Sequence, residues 1–332
     1  MKSCIMEHEA REAPKVVAAQ LTANALIAQQ LGEKIRSFEP QFVMIIGRGS
    51  SDHAGVFGKY LIEIEVGLPT FSAAPSVTSV YGKQLKLDKA LVIIISQSGT
   101  SPDILAQASM AKAAGALCIA LVNEVNTPLE ALVDYVLPLR AGEERAISAS
   151  KSYIATLSAL MQLVSTWTQD VDLALAVKSM PIALENAVKA TPQLVPNSLT
   201  NDKNLVVLGR GLGFAIAKEI ALKLKELCGI HAEAFSSAEF LHGPVTLIEQ
   251  DLKVIDVSVG DESYGCHIEQ VVEVNMRGAD LIHLHQTTID IHPRIAPIAL
   301  LLRFYIDVVA VAKVRGIDPD SPVGLTKMTE TL

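Results

Sequence analysis

Aromatic and charged residues are both scarce in this chain of 332 residues, at 5% and 19% of the sequence. Basic residues are also outnumbered, since 28 lysine and arginine residues face 36 acidic ones and leave a net charge of −8. Nucleic-acid binding depends on clustered Lys and Arg that neutralise phosphates. The composition therefore argues against nucleic acid as a partner, and any anion-binding site must be built from local groups.

Cysteine is rare as well, with no C-x-x-C pair among Cys4, Cys118, Cys228 and Cys266. Neither a zinc site nor a redox motif is predicted, and scattered cysteines of this kind act as small apolar residues in a reducing compartment. The first 15 residues mix charges and lack the apolar core of a signal peptide. We expect a cytoplasmic protein.

Long uninterrupted apolar runs are absent too. The most apolar long segment, residues 295–314, contains Pro297, Arg303, Asp307 and Lys313. A membrane-spanning helix needs about 20 consecutive, mostly apolar residues. The segment therefore predicts a core or interface helix, and we expect no membrane partner.

The chain does contain an internal repeat. The sequence VMIIGRG ends at Gly49 and the sequence LVVLGRG ends at Gly211, 162 residues further on. In each copy an apolar, β-rich run is followed by a glycine turn and then by a helical pattern, over 54–63 and 215–226. Strand, glycine turn and helix are the opening of a βαβ unit.

Short apolar runs alternate with helical patterns along the rest of the chain. Further strands are predicted at 69–73, 90–95, 116–122, 135–139, 232–235, 252–258 and 281–285, and helices at 103–113, 128–133, 152–167 and 172–190. This alternation predicts an α/β fold with parallel sheets covered by helices on both faces. We expect a helical arm over 1–38, a first domain over 39–194 and a second domain over 195–332, separated at a proline-containing linker.

A run of small polar residues follows the apolar strand at 90–95 and reads Ser96-Gln97-Ser98-Gly99-Thr100-Ser101. Pro102 then suits the first turn of a helix, and a helix N-terminus at the end of a parallel strand favours an anion. Ser50 and Ser51, after the first strand, are predicted to close the other side. The alternative is an ordinary serine-capped loop, but the second serine pair favours a phosphate site.

A Lys-Glu pair marks the second copy. Lys223 and Glu226 are three residues apart and share a predicted helix face, and His242 follows in a His-Gly-Pro turn. For an isolated pair, a surface salt bridge is the usual interpretation. The position after a glycine-rich strand end, together with a loop histidine that can move protons near neutral pH, favours an acid/base site.

The remaining histidines give a weaker signal. His283 and His285 alternate on a predicted strand and His292 follows, which leaves a metal site as an alternative. No carboxylate lies at the spacing of a familiar ligand motif, and the G-R-G turns lack the glycine spacing of a dinucleotide-binding loop. We therefore expect no metal and no other cofactor.

These motifs, in this order, resemble the double sugar isomerase (SIS) domain family, and most of all the isomerase half of glucosamine-6-phosphate synthases. The resemblance covers nearly the whole chain. It implies two tandem SIS domains, each a parallel β-sheet between helices in a flavodoxin-like three-layer αβα arrangement. Its marks are GSS-x-HAG (49–55), ISQSG (95–99), ASK (149–151), GRG (209–211), LKLKE (222–226), HAEA (231–234), E-x-x-HGP (239–244) and the tail 316–327.

The resemblance also implies a role for each matching residue. Glu226 would be the base that moves a proton between sugar C1 and C2, and His242, reaching in from a neighbouring subunit, would assist ring opening. Lys327 would contact the open-chain carbonyl, and Lys223 would line the same site. The phosphate would lie on Ser96, Gln97, Ser98 and Ser101, with help from Ser50 and Ser51. Arg48 and the loop at 143–145 depart from the synthase pattern.

We expect no glutaminase domain in front of the helical arm, and the resemblance then implies release of ammonia: glucosamine-6-phosphate plus water gives fructose-6-phosphate plus ammonia. The alternatives are another phosphosugar isomerase or deglycase of the family and a non-catalytic sugar-phosphate sensor. A small sugar phosphate is thus the expected partner. A homodimer is expected from the shared His242 and from the apolar helix at 295–314.

Overall fold

The computed structural model describes residues 4–250, 252–288 and 290–326. The chain forms two compact units, which we call the front unit and the rear unit. The front unit contains residues 15–143 and 151–179, and the rear unit contains residues 4–14, 144–150 and 180–325. Each unit is built around one parallel β-sheet.

The front unit has a five-stranded sheet in the order β2-β1-β3-β4-β5. Its strands are β1 (Phe42–Ile46), β2 (Thr70–Ser72), β3 (Ala90–Ser96), β4 (Leu117–Val122) and β5 (Tyr135–Pro138). Every residue of β3 is buried, as expected for a central parallel strand with helices on both faces. Val92 and Ile94 of this strand share one core cluster with Ile104. The continuous apolar run in the sequence is the signature of this central position.

Helices precede, connect and follow the strands of the front sheet. They are α1 (Ile5–Ala23), α2 (Ala25–Phe38), α3 (Ser50–Glu65), α4 (Pro75–Ser79), α5 (Pro102–Ala113), α6 (Lys151–Thr168) and α7 (Val171–Lys189), with a 3-10 helix at Pro128–Leu132. Helices α2 and α3 both pack against α6, while α4 packs against α5. The approach of α2 to α6 requires glycine, because a Cβ on Gly32 would lie 2.4 Å from the carbonyl oxygen of Thr166.

The rear unit has a four-stranded sheet in the order β7-β6-β8-β9. Its strands are β6 (Asn204–Gly209), β7 (His231–Ser236), β8 (Lys253–Ser258) and β9 (Asp280–His285), and its helices are α8 (Leu212–Cys228), α9 (Ser237–Phe240), α10 (Tyr264–Met276) and α11 (Ala296–Val314). Two 3-10 helices lie at Pro196–Leu199 and Pro244–Gln250. The order repeats that of the first four front strands, so the predicted α/β fold with two repeated parallel sheets is confirmed.

Helix α10 has no counterpart among the predicted elements. Only His267, Val271 and Val274 are buried in its 13 residues. Three buried positions, one of them a histidine, are too few to give a clear apolar period of 3.6 residues. Short strands buried on both faces were easier to predict than this half-exposed helix.

Helix α11 lies within the rear unit and packs against α8. Two of the charges that interrupt its apolar run are paired: Arg303 Nε donates to Asp307 Oδ1 at 2.9 Å, and Arg303 Nη1 donates to the carbonyl oxygens of Val188 and Ala190. Because its own unit covers this helix, its apolar residues do not indicate a subunit interface. The expected homodimer then depends on His242 alone. Across the described ranges, we find no helix with the length and apolar character that a membrane crossing requires.

The four cysteines carry free thiols. Burial raises the pKa of Cys4 to about 11 and the pKa values of Cys118 and Cys228 to about 12. These three thiols stay protonated at neutral pH, and a protonated thiol is neither a nucleophile nor a metal ligand. The buried cysteines are consistent with their interpretation as small apolar residues.

Residue Asp320, near the C-terminus, caps the first helix. Its Oδ2 accepts a hydrogen bond from Ile5 N at 2.9 Å, and its Oδ1 accepts hydrogen bonds from Met6 N at 2.8 Å and from Cys4 Sγ at 3.0 Å. Burial opposes ionisation of this carboxyl, but the N–H donors of Met6 and Ile5 outweigh it and hold the pKa below its ordinary value of 3.8. The cap ties the two ends of the described chain together within the rear unit.

We expect Asp320→Ala to lower the free energy of unfolding by about 1–2 kcal/mol at pH 7, because N-terminal amides of α1 lose their acceptor. A carboxyl with a lowered pKa stabilises the fold above its ordinary pKa and loses that effect as the pH falls through its folded value. The difference from the natural protein should therefore shrink as the pH falls below 3.8. Chemical denaturation of both proteins at pH 7 and pH 3 measures this difference in the free energy of unfolding.

Glu7→Gln is the matched control, because Glu7 lies in the first turn of the same helix but pairs at the surface with Arg11. Surface pairs contribute about 0–1 kcal/mol, so this variant should unfold nearly as the natural protein does. Equal losses in the two variants would show that helix-end charge, and not the cap, is responsible.

Candidate active site

The segment between β3 and α5, residues 96–101, is called the serine loop below. Ser96 ends the strand, and its Oγ accepts a hydrogen bond from Gly99 N at 3.1 Å. Ser98 Oγ accepts a hydrogen bond from Thr100 Oγ1 at 2.9 Å. The hydroxyl groups thus fold the loop back on itself at the carboxyl end of the most buried strand. The predicted strand, polar loop and helix are all present.

Glycine is required at the centre of the serine loop. Gly99 has φ +64°, and a Cβ placed on it would lie 2.5 Å from Thr127 Oγ1. Thr127 is the N-cap of the 3-10 helix after β4 and forms a capping box with Glu130. The connection after β4 therefore contacts the serine loop closely and leaves no room for a side chain at position 99.

Helix α5 presents its N-terminus beside the serine loop. Ser101 is the N-cap and makes no side-chain capping hydrogen bond, but Ile104 N of the first turn donates to Asp103 Oδ1 at 2.9 Å. Asp103, in that first turn, is buried, and its Oδ2 lies 2.6 Å from Arg48 Nε. The ion pair offsets a carboxylate that would otherwise repel an anion at the positive end of the helix.

A second polar turn lies next to the serine loop. Strand β1 pairs with β3, and it is followed by Gly49 and by α3, whose first two residues are Ser50 and Ser51. The connection from β1 leads to β2 on one side, whereas the connection from β3 leads to β4 on the other. Ligands of such sheets bind at this reversal of strand order. The front unit therefore brings both predicted serine groups to the same edge.

The rear unit repeats the turn but not the polar loop. Gly211 has φ 53° and ψ −128°, nearly the values of Gly49, φ 54° and ψ −126°. The loop after β8 instead carries Asp261 and Glu262. Two hydrogen bonds from Arg294, at 2.6 and 2.8 Å, lower the pKa of Glu262 to about 2. An acidic loop is unsuited to a phosphate.

Helix α8 carries the predicted acid/base pair. Lys223 Nζ donates to Glu226 Oε2 at 2.8 Å and lies 3.3 Å from Glu219 Oε1. Burial lowers the pKa of Lys223, but the carboxylates of Glu219 and Glu226 outweigh it, so the net pKa is raised and the ammonium stays charged. The side chains of Lys223 and Glu219 are 1% and 0% exposed, whereas that of Glu226 is 18% exposed. The pair is therefore not a surface salt bridge, and Glu226 is the acid of α8 that faces solvent.

Three further residues complete this cluster and were not predicted. Glu219 lies one turn before Lys223, and the same helical spacing that joined Lys223 to Glu226 would have found it. Tyr305 donates from its hydroxyl to Glu219 Oε1 at 3.1 Å, and Ser148 Oγ donates to Glu226 Oε2 at 2.5 Å. Both lie far from α8 in sequence, so no local pattern indicates them.

Residue His242 lies in the predicted turn between α9 and the 3-10 helix that follows. Its amide donates to the carbonyl oxygen of Glu239 at 3.0 Å. In the described part of the chain, the hydrogen-bonded partners of Glu226 are Lys223 and Ser148, so His242 is not bonded to the carboxylate. Lys327, the remaining predicted site residue, lies outside the described residues.

Known proteins share this pattern over most of the chain. Residues 40–166 and 198–296 match the SIS domain. The chain belongs to the SIS domain family. Its two SIS segments fall on the two parallel sheets and include the serine loop, α8 and the His242 turn.

Other proteins similar to this SIS chain include longer enzymes. It is 30% identical to a glutamine–fructose-6-phosphate aminotransferase (isomerizing) of Clostridium perfringens over 97% of this chain and 58% of that protein. It is 29% identical to the enzyme of the same name from Sulfurisphaera tokodaii, over 96% of this chain and 55% of that protein. The chain thus spans less than two thirds of the length of these curated relatives.

Solved structures agree with the SIS fold. A protein from Silicibacter pomeroyi assigned as a phosphosugar isomerase has a TM-score of 0.89 and 35% identity over 96% of this chain and all of that one. A glucosamine-6-phosphate deaminase from Thermotoga maritima has a TM-score of 0.73 at 20% identity, over 95% of this chain and all of that one. The second similarity concerns the fold alone.

Two histidines outside the His242 turn form a separate network in this SIS chain. His267 Nε2 lies 2.7 Å from Asp256 Oδ1, and His283 Nδ1 lies 2.9 Å from Asp256 Oδ2. Burial raises the pKa of Asp256, but the hydrogen bonds from the two histidines outweigh it and the pKa is lowered. Within residues 4–250, 252–288 and 290–326, no group of three or more His, Cys, Asp or Glu is arranged to hold a metal ion.

We expect Lys223→Met to destabilise the fold strongly, by about 3–5 kcal/mol, because it removes one partner of a buried ion pair, the ammonium 3.3 Å from Glu219 Oε1. Chemical denaturation followed by circular dichroism measures the loss. Lys225→Met is the matched control on the same helix, since Lys225 is exposed and, within the described residues, donates to the carbonyl oxygen of Ala232. Similar losses in the two variants would contradict the buried role of Lys223.

Proposed function

We propose that this protein is a phosphosugar isomerase and, more specifically, a deaminase that converts glucosamine-6-phosphate and water into fructose-6-phosphate and ammonia. The observation that carries the proposal is the Glu226 carboxylate, which is partly exposed while a buried ammonium holds one of its oxygens. A fixed carboxylate with solvent access is the group needed to move a proton between two adjacent carbons. The name of the aminotransferase relatives supports the substrate class, a hexose 6-phosphate.

In this proposal, the serine loop, with Ser50 and Ser51, binds the phosphate of the sugar, and Glu226 acts on its carbons. The serine loop supports the phosphate role because it offers several hydroxyl groups beside the N-terminus of α5, where Asp103 is paired with Arg48. His242 of a partner subunit assists ring opening, and Lys327 contacts the carbonyl oxygen. A homodimer and a cytoplasmic location belong to the same proposal.

The reaction then follows from the chemistry of the open-chain aminosugar. Glu226 takes the C2 proton and returns it at C1, while one proton leaves the C2 amine and one is added to the C1 oxygen, so that the C1 aldehyde and C2 amine become a C1 alcohol and a C2 imine with no net gain or loss of protons. Water adds to the imine carbon and ammonia leaves, giving the ketone. The enzyme ends with the same number of protons, so a single carboxylate is sufficient for the transfer between carbons.

The experiment is an assay for ammonia and fructose-6-phosphate with a panel of hexosamine and hexose 6-phosphates. We expect release of ammonia from glucosamine-6-phosphate, and Glu226→Gln should lower kcat by about 10³-fold or more with nearly unchanged substrate binding, because it removes the base and keeps the shape. Glu273→Gln, at an exposed Glu paired with Arg277, is the control and should be fully active. Turnover of another sugar phosphate without ammonia release would indicate an isomerase and contradict the deaminase. Full activity of Glu226→Gln would contradict both the deaminase and the isomerase as proposed functions.

The serine loop is tested separately. Ser98→Ala should weaken binding of the substrate and of inorganic phosphate by about 10-fold, as expected for the loss of a hydrogen bond to a charged group, with kcat changed far less. Titration calorimetry with phosphate and the KM of the assay above measure the two effects. Ser37→Ala, which removes an exposed hydroxyl of α2 bonded to the carbonyl oxygen of Glu33, should change neither. An unaltered affinity in Ser98→Ala would argue against the phosphate site.

A further inference from the structure

The two oxygens of the Glu226 carboxylate are not equivalent. Oε2 accepts hydrogen bonds from Ser148 Oγ at 2.5 Å and from Lys223 Nζ at 2.8 Å. Within the described residues, no hydrogen bond reaches Oε1. We infer that Ser148 is a positioning residue which, together with Lys223, holds Oε2 and leaves Oε1 as the oxygen that carries the proton. This inference rests on the proposed function and names the atom that performs it.

A carboxylate at the end of a glutamate side chain is rotationally loose. The last torsion of glutamate is broad and nearly two-fold, so its two oxygens exchange readily unless other groups hold them. Lys223 supplies one donor from the same helix, and Ser148 supplies a second from another part of the chain. Two donors converging on one oxygen fix both the position of the carboxylate and the direction of the remaining lone pairs.

The hydroxyl of Ser148 is itself held in place by its backbone. Arg145 N donates to Glu9 Oε1 at 2.6 Å, and Ala146 N donates to Glu9 Oε2 at 3.2 Å. Ser150 N donates to Glu144 Oε1 at 2.9 Å. Glu9, Glu144 and Ser148 are all buried. The segment 144–150 is therefore clamped on both sides of the serine by buried carboxylates, and a rigid support of this kind is what keeps a reacting group in place.

The proton balance agrees with a single active oxygen. Oε1 takes the proton from C2, as the C–H electron pair moves toward C1, and gives the same proton to C1 in the return step. Ser148 and Lys223 keep their own protons throughout, so neither adds nor removes a charge. Their hydrogen bonds stabilise the carboxylate before and after the transfer, and the geometry needed for transfer is already present when substrate arrives.

The experiment compares Ser148→Ala with Ser150→Ala in the sugar-phosphate assay. The two serines lie in the same segment and both are buried, but the Ser150 hydroxyl has no partner among the described residues. We expect Ser148→Ala to lower kcat by about 10- to 100-fold with KM changed less than about 2-fold, a loss of positioning and not of binding. Ser150→Ala should leave both constants unchanged, and Ser148→Thr, which keeps the hydroxyl, should recover most of kcat.

A double-mutant comparison separates positioning from simple structural damage. Adding Ser148→Ala to Glu226→Gln should cost less than about 2-fold further activity, because a hydroxyl that acts through the carboxylate has nothing left to position. Additive losses, a kcat of Ser148→Ala equal to that of the natural protein, or a Ser148→Thr variant as slow as Ser148→Ala would each overturn the inference. If Ser148→Ala does not fold, Ser148→Cys, of similar size but with a weaker donor, is measured in its place and should be slowed.

The outcomes also distinguish this inference from the function it rests on. A natural protein that turns over no sugar phosphate in the panel would remove the proposed function and the role of Ser148 together. A natural protein that is active, a Glu226→Gln variant that is inactive and a Ser148→Ala variant with normal kcat would remove only the role of Ser148. In that case Lys223 is sufficient to hold the base.

Discussion

The buried ammonium of Lys223 is the constraint on which the acid/base site depends. An unpaired ammonium in the protein interior costs several kcal/mol, and the fold offsets this with two carboxylates on the same helix. Glu219 is fully buried and its Oε1 is bonded to Tyr305, whereas Glu226 is partly exposed. Of the two carboxylates of α8 that pair with the buried cation, Glu226 is therefore the one that solvent can reach.

The sheets could be predicted from the sequence because parallel strands covered on both faces must be apolar at every position. Strand β3 is the clearest case, and the repeated G-R-G turn marks where each unit begins. Helix α10 was missed for the opposite reason, since most of its residues face solvent. Apolar periodicity reports burial, so elements that bury little leave little trace in the sequence.

The site was predictable only as far as local spacing reaches. Lys223 and Glu226 follow from the helical repeat, and the serine loop follows from its place after a strand. Ser148 is 78 residues from Glu226 in sequence and meets it only through the folded chain. Its neighbours carry no motif that indicates a carboxylate partner, and the clamp on 144–150 comes from Glu9, in the first helix. Supporting contacts of this kind belong to tertiary structure and not to a pattern of residues.

The internal repeat allows two chemical requirements that conflict in a single site, phosphate binding and a carboxylate base, to lie in different copies. A phosphate is favoured by hydroxyl groups and a helix N-terminus, and a nearby carboxylate must be neutralised, as Arg48 does for Asp103. A carbon base must instead be a charged carboxylate. The front copy carries the serine loop, whereas the rear copy, with nearly the same backbone turn at Gly211, has Asp261 and Glu262 in the equivalent loop and carries the proposed base on α8. Because each copy has its own sheet and its own strand-order reversal, either could change its charge without disturbing the other.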